Sequence, residues 1–259
     1  MSGSERPIAA RSSVGAAIGR FWNARVDRHS AVGLRLTLGI VVFAAAVWSF
    51  AGLLEEVLDN ESLVRWDTMA SEWVHQHTST TGLAIFNAIT TLGSVGVWAV
   101  VVIVAAWLWR TRHRVLFSGW IGTNLGGLLV QLTIKRLVHR VRPEYAGDYL
   151  HGHTFSFPSG HAMQSTIAFV MLVLVASAVS PWWRARRRAM LIAAVGLVLL
   201  ISYSRVYLGV HYPSDVVGGI VAGTAWLAAA LILLGLVRSR RNHVATDVGR
   251  IQPPSGHGT

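Results

Sequence analysis

The chain has 259 residues, 53% of them hydrophobic and 14% charged, whereas soluble domains carry roughly 25% charged residues. Its formal charge of +11 rests on 22 arginines and one lysine, but these cluster in short segments beside apolar runs, where they orient membrane spans, so nucleic-acid binding is not expected. Thiol catalysis, disulfides and cysteine-ligated metals are excluded by the absence of cysteine.

A hydrocarbon core needs about 20 apolar residues per helical span, and six stretches meet that need, near 31–54, 83–109, 115–138, 161–179, 189–208 and 215–237. They predict an all-α, six-transmembrane-helix bundle. Residues 1–30 form a basic N-terminal segment, 31–237 the six-span domain and 238–259 a polar tail with prolines and glycines, expected to be disordered.

After the first span the acidic stretch 55–61 leads into Leu63, Trp66, Ala70, Trp73, Val74 and His77, which recur at helical spacing opposite Arg65, Asp67, Ser71, Glu72 and Gln76. This predicts a short amphipathic interfacial helix between spans one and two, capping the bundle or admitting lipid. Gly93 and Ser94 should loosen or bend the second span, and Arg110, Arg112 and Arg114 close it. G-x-x-x-G spacings at Gly122–Gly126 and Gly219–Gly223 allow close helix approach in spans three and six.

Lys and Arg fall unevenly about these spans. Seventeen lie on the N-terminal side, within 1–35, 110–114, 184–188 and 238–250, and six on the other, while nine of twelve acidic residues show the opposite bias. Because short cytoplasmic loops carry the cationic excess, both termini should be cytoplasmic. Five of the six cations on the far side, Lys135, Arg136, Arg140, Arg142 and Arg205, oppose that preference, and anion binding would explain them.

Three polar stretches sit at span ends on that same far side: Lys135-x6-Arg142-Pro143, Pro158-Ser159-Gly160-His161, and Ser204-Arg205-x5-His211-x3-Asp215. Ionisable groups at membrane boundaries are costly and usually functional. Lys135, Arg142 and Arg205 could neutralise a phosphoryl group, which is handled mostly by positioned cations and backbone N–H groups. Ser159 is a candidate helix N-cap whose following amides would face an anion, with Gly160 permitting close approach. Singly, each piece reads as a snorkelling cation or a plain helix start; the spacing of all three does not.

In residue type, order and spacing the three stretches resemble the signature of the type 2 phosphatidic acid phosphatase superfamily of integral membrane lipid phosphatases. That resemblance implies His211 as nucleophile through a phosphohistidine, Asp215 holding its other ring nitrogen, and His161 as general acid and then base, with Lys135, Arg142, Ser159, Gly160 and Arg205 binding phosphate. It further implies a metal-independent lipid phosphate or diphosphate hydrolase without cofactor, acting at the outer face of a bacterial cytoplasmic membrane. Polyprenyl diphosphate, phosphatidylglycerol phosphate, phosphatidic acid and lipid A phosphates are the substrates to expect, the first favoured by the additional cations, with Arg140 a candidate for a second phosphate. A phosphotransferase using the same phosphohistidine, or a non-catalytic lipid-binding or transport protein, are the alternatives. His151 and His153 could form half a metal site, but without acidic neighbours at ligand spacing they read better as solvated loop histidines. Tyr145, Tyr149 and Phe155 are candidates for headgroup or bilayer contact.

Overall fold

The computed structural model describes residues 31–59, 61–144 and 155–251. Its elements are α1 (Ala31–Asp59), α2 (Glu61–Gln76), α3 (Thr80–Thr91), a π-helical turn (Leu92–Gly96), α4 (Val97–Arg110), α5 (Arg114–Val138), α6 (Gly160–Val179), α7 (Pro181–Ala185), α8 (Arg187–Tyr207) and α9 (Pro213–Ile251). Among the described residues six segments are long and apolar enough to cross a bilayer: 36–59, 80–110, 114–138, 160–179, 187–207 and 213–237. The second of these joins α3, the π turn and α4.

The most enclosed span is α6, with Ala162, Met163, Ile167 and Ala168 wholly buried, while Leu38, Val41, Ile103, Leu129, Ile192 and Leu233 project from the surrounding helices as lipid-facing side chains must. Glycine sets how closely α9 approaches α6. A Cβ on Gly219 would lie 2.5 Å from the Ser159 carbonyl oxygen, and one on Gly223 2.9 Å from that of Met163. The expected close approach is therefore realised in α9. In α5 the motif divides: Gly126 packs on Trp226, while Gly122 has nothing within 4 Å.

Three local features differ from the sequence reading. First, α1 runs on through Glu55 and Glu56, which are exposed. Second, α9 continues past the expected end of the sixth span at 237 and is helical as far as Ile251, the last described residue.

Third, α2 is present, and its two faces are not divided simply into inward apolar and outward polar. Asp67 and Ser71, from the polar set, are buried, whereas Trp66 and Trp73, from the apolar set, are exposed together with Met69. A helix at a bilayer surface has lipid and headgroups on its outer side, so its aromatic face need not turn inward. Asp67 instead reaches Arg140 and Ser214.

Candidate active site

His211 and Asp215 are set side by side by two helix ends. The last turn of α8 carries Arg205, and the chain then closes a Schellman turn in which the Gly209 amide bonds to the Val206 carbonyl and the Val210 amide to that of Arg205. Gly209 has φ 66°, a left-handed conformation that only glycine adopts at no cost. This reversal folds Val210 and His211 back over the end of α8, which is the structural content of the R-x5-H spacing. Next, Tyr212 precedes α9, Pro213 takes the first helical position, and Asp215 Oδ2 accepts the Tyr212 N–H at 2.9 Å, the carboxylate half of a capping box. The H-x3-D spacing thus places a capping carboxylate beside the residue preceding the cap.

The pair lies 3.2 Å apart, His211 Nδ1 to Asp215 Oδ2. Asp215 is fully buried and also accepts from Ser156 Oγ and, at 2.7 Å on Oδ1, from Arg140. With Nδ1–H donating to the carboxylate, the lone pair of His211 is on Nε2, 3.2 Å from Arg142 Nη1. Burial is the main force on this imidazole, and it outweighs Asp215 to hold the pKa down at about 3, with Arg142 and Lys135 adding to the depression. Burial thus favours the neutral form of His211.

The cations converge from three elements. Lys135, in the last turn of α5, donates to the Phe155 carbonyl at 2.5 Å; Arg142 donates to the Val210 carbonyl at 2.7 Å; Arg205 donates to Thr90 Oγ1 at 2.7 Å. Burial lowers the pKa of Arg142, offset in part by Asp215. The fields of Lys135, Arg142 and Arg205 all reach His161 and one another.

Ser159 has the extended backbone of an N-cap, but its hydroxyl makes no capping bond. Its amide donates to the Asp215 carbonyl at 2.9 Å, and its Oγ is buried without a partner, as is Arg205 Nε. Unpaired donors at a helix start are the groups an anion could engage. A Cβ on Gly160 would come within 2.5 Å of Gln131 Nε2, so a larger residue there would have to displace that side-chain amide.

His161 follows on α6, and its ring reaches the π turn of the second span, where a Cβ on Gly93 would lie 2.8 Å from Cδ2. The structure thus brings all eight sequence-selected residues, Lys135, Arg142, Ser159, Gly160, His161, Arg205, His211 and Asp215, to one end of the bundle. Arg140 differs from expectation. It does not project toward a second phosphate but bridges Asp215 and Asp67, each at 2.7 Å. His151, His153, Tyr145 and Tyr149 lie outside the described residues, while Phe155 meets His139 edge to face at 4.4 Å.

Five contributors were not singled out as site residues: Asp67, Thr90, Gly93, Ser156 and Ser214. Ser156 and Ser214 adjoin recognised motifs and were within reach of sequence reasoning. Asp67 is one of three acids on α2, with Glu61 and Glu72, and had no signal setting it apart from them; Thr90 had none either.

Comparison with known proteins places these features in context. The model of the PAP2 superfamily matches residues 120–238. Phosphatidylglycerophosphatase B of Bacillus subtilis (strain 168) is 35% identical over 95 residues, 37% of this chain and 46% of that protein. YbjG of Escherichia coli (strain K12), which carries an undecaprenyl-diphosphatase name, is 35% identical over 156 residues, 58% of this chain and 72% of that one. The crystal structure of a transmembrane PAP2-type phosphatidylglycerolphosphate phosphatase from Bacillus subtilis superposes with a TM-score of 0.66 at 25% identity, covering 73% of this chain and 93% of that one. The chain spans about half the length of the curated relatives it matches first.

Proposed function

Since the chain belongs to the PAP2 superfamily and is a multi-pass membrane protein, we propose that it removes a terminal phosphate from a lipid mono- or diphosphate through a phosphohistidine on His211. The observation that carries this reading is the geometry of His211, with Nδ1 on Asp215 and Nε2 turned toward Arg142.

His211 Nε2 attacks phosphorus and the bond from phosphorus to the lipid oxygen breaks, with His161 delivering a proton to the departing oxygen. The phosphorylated ring is cationic, and Asp215 at Nδ1 stabilises it. Water then attacks the same phosphorus, passing its proton to His161, and inorganic phosphate leaves. Lys135, Arg142, Arg205 and the α6 amides carry the equatorial oxygens throughout. Those groups supply the needed positive charge, so activity should survive EDTA without added metal.

The cation count bears on substrate. Arg140, the candidate for a second phosphate, is paired to two carboxylates, and the argument for a diphosphate from that cation loses force. Phosphatidylglycerol phosphate and phosphatidic acid stand level with polyprenyl diphosphate on this geometry.

Rapid mixing of detergent-purified protein with p-nitrophenyl phosphate and with an alkyl lipid phosphate tests the reading. His211→Ala should form no phosphoenzyme from either substrate. His161→Ala should give a nitrophenol burst and accumulate acid-labile phosphohistidine, yet lose roughly 10²–10⁴-fold on the alkyl substrate, which needs its leaving oxygen protonated. A burst from His211→Ala would exchange the two roles, and full turnover by both variants would sink the assignment.

A further inference from the structure

The helix on the membrane surface contributes a second buried carboxylate that faces the catalytic pair across a single guanidinium. Asp67 on α2 is 0% exposed. Its Oδ2 accepts from Arg140 Nη2 at 2.7 Å and from Ser214 Oγ, and its Oδ1 accepts the Ser214 amide at 3.1 Å. The other arm of Arg140 donates to Asp215 Oδ1 and to Ser214 Oγ, both at 2.7 Å. Burial alone would lower the Arg140 pKa, but the two carboxylates outweigh it and raise it, so Arg140 remains cationic between them.

This arrangement poses an electrostatic problem that Asp67 solves. Asp215 must favour positive charge on the ring of His211 as the N–P bond forms, yet Arg140 lies as close to Asp215 as an ion pair allows and would cancel that influence. Opposed charges in a dry site interact far more strongly than in water. A second carboxylate on the far side of Arg140 neutralises it, leaving Asp215 with a net negative field toward His211. The same bonds hold Ser214 and the first turn of α9, and hence the direction in which Asp215 points.

We infer that Asp67 is a positioning residue for phosphoryl transfer, balancing Arg140 so that Asp215 can stabilise the phosphohistidine. This rests on the phosphatase reading above. Asp67 acts through Arg140 and Asp215 and need not touch the substrate.

The test compares Asp67→Asn, Arg140→Gln and the double variant with the parent full-length protein in detergent. Turnover of a lipid phosphate, competitive inhibition by inorganic phosphate and elution on size exclusion are read for each. Asp67→Asn keeps the shape of the side chain but leaves Arg140 to oppose Asp215, so kcat should fall about 10-fold or more, by analogy with displaced catalytic supports, while KM and the inhibition constant of phosphate stay within about 2-fold. In the double variant neither charge remains, and kcat should rise above that of Asp67→Asn. A merely structural role gives no such recovery, since a second lesion would lower activity further.

The inference is overturned if kcat of Asp67→Asn stays within about 3-fold of the parent, or if the losses of the two single variants multiply in the double one. Should Asp67→Asn aggregate, the double variant, which retains no unbalanced cation, decides the matter: folding with measurable turnover supports the inference and failure overturns it. A parent protein inert toward every lipid phosphate would defeat the phosphatase reading itself, whereas an active parent with a parent-like Asp67→Asn defeats this inference alone.

Discussion

At the scale of single residues, His211 shows how burial and charge compete over one proton. Its ring is almost inaccessible, and desolvation prevails over the adjacent Asp215 to hold its pKa near 3, against about 6.5 for a solvated histidine. The folded state therefore binds fewer protons than the unfolded state between about pH 3 and 6.5, so stability rises with pH across that window and is lost as pH falls through it. The slope approaches about 1.4 kcal/mol per pH unit within the window. The thermal midpoint in detergent should accordingly drop between pH 7 and pH 5 more steeply in the parent than in His211→Asn, which has no proton to gain. Equal slopes would mean that the ring is not held neutral. Most of this site could be read from the sequence because its spacings are those of helix ends, as the Schellman turn at Gly209 and the cap at Asp215 show. Asp67 escaped because its partner Arg140 is 73 residues away, a separation that no local pattern encodes.

At the scale of elements, the π turn at Leu92–Gly96 interrupts the second span where it passes the site. Such turns often occur at functional positions, and this one lies beside two site contacts. Thr90, just before it, accepts from Arg205, and Gly93 within it leaves room for His161. Sequence reasoning anticipated a weakness at Gly93-Ser94, because glycine loosens a helix, but not the widened register, which depends on neighbouring side chains. Replacing a helical glycine with alanine ordinarily stabilises by about 1 kcal/mol. At Gly93 the added Cβ would lie 2.4 Å from Ile201 Cγ2, on a side chain with 0% exposure, and 2.8 Å from the His161 ring. Overpacking of that kind costs about 1–3 kcal/mol and so exceeds the gain. Gly93→Ala should lower the thermal midpoint and reduce alkyl-phosphate turnover at least about 10-fold, since His161 must shift. Gly196→Ala, in α8 with nothing within 4 Å, should be neutral or slightly stabilising on both measures. Parent-like values for Gly93→Ala would show that the π turn yields without disturbing the histidine.

At the scale of the whole molecule, the bundle separates two populations of charge. Seventeen Lys and Arg belong to the N-terminal side of the membrane, as expected for cytoplasmic loops. Of the six at the other end, Lys135, Arg142 and Arg205 converge on the candidate phosphate site, and Arg140 is held between Asp67 and Asp215. Cations with local anionic partners or an anionic ligand contribute little to topology, and the six-span reading needs no inversion to accommodate them. Both termini should then be cytoplasmic and the active site external. The natural absence of cysteine allows this to be tested with single introduced thiols. Gln76, exposed at the end of α2 beside the site end of the bundle, and Arg187, exposed at the opposite end where α8 begins, are suitable positions. In intact cells a membrane-impermeant maleimide should label Gln76→Cys and leave Arg187→Cys unlabelled, while both should react once the membrane is permeabilised. Labelling only at Arg187→Cys in intact cells would place the candidate site in the cytoplasm, and the convergent cations would then have to be counted as topological after all.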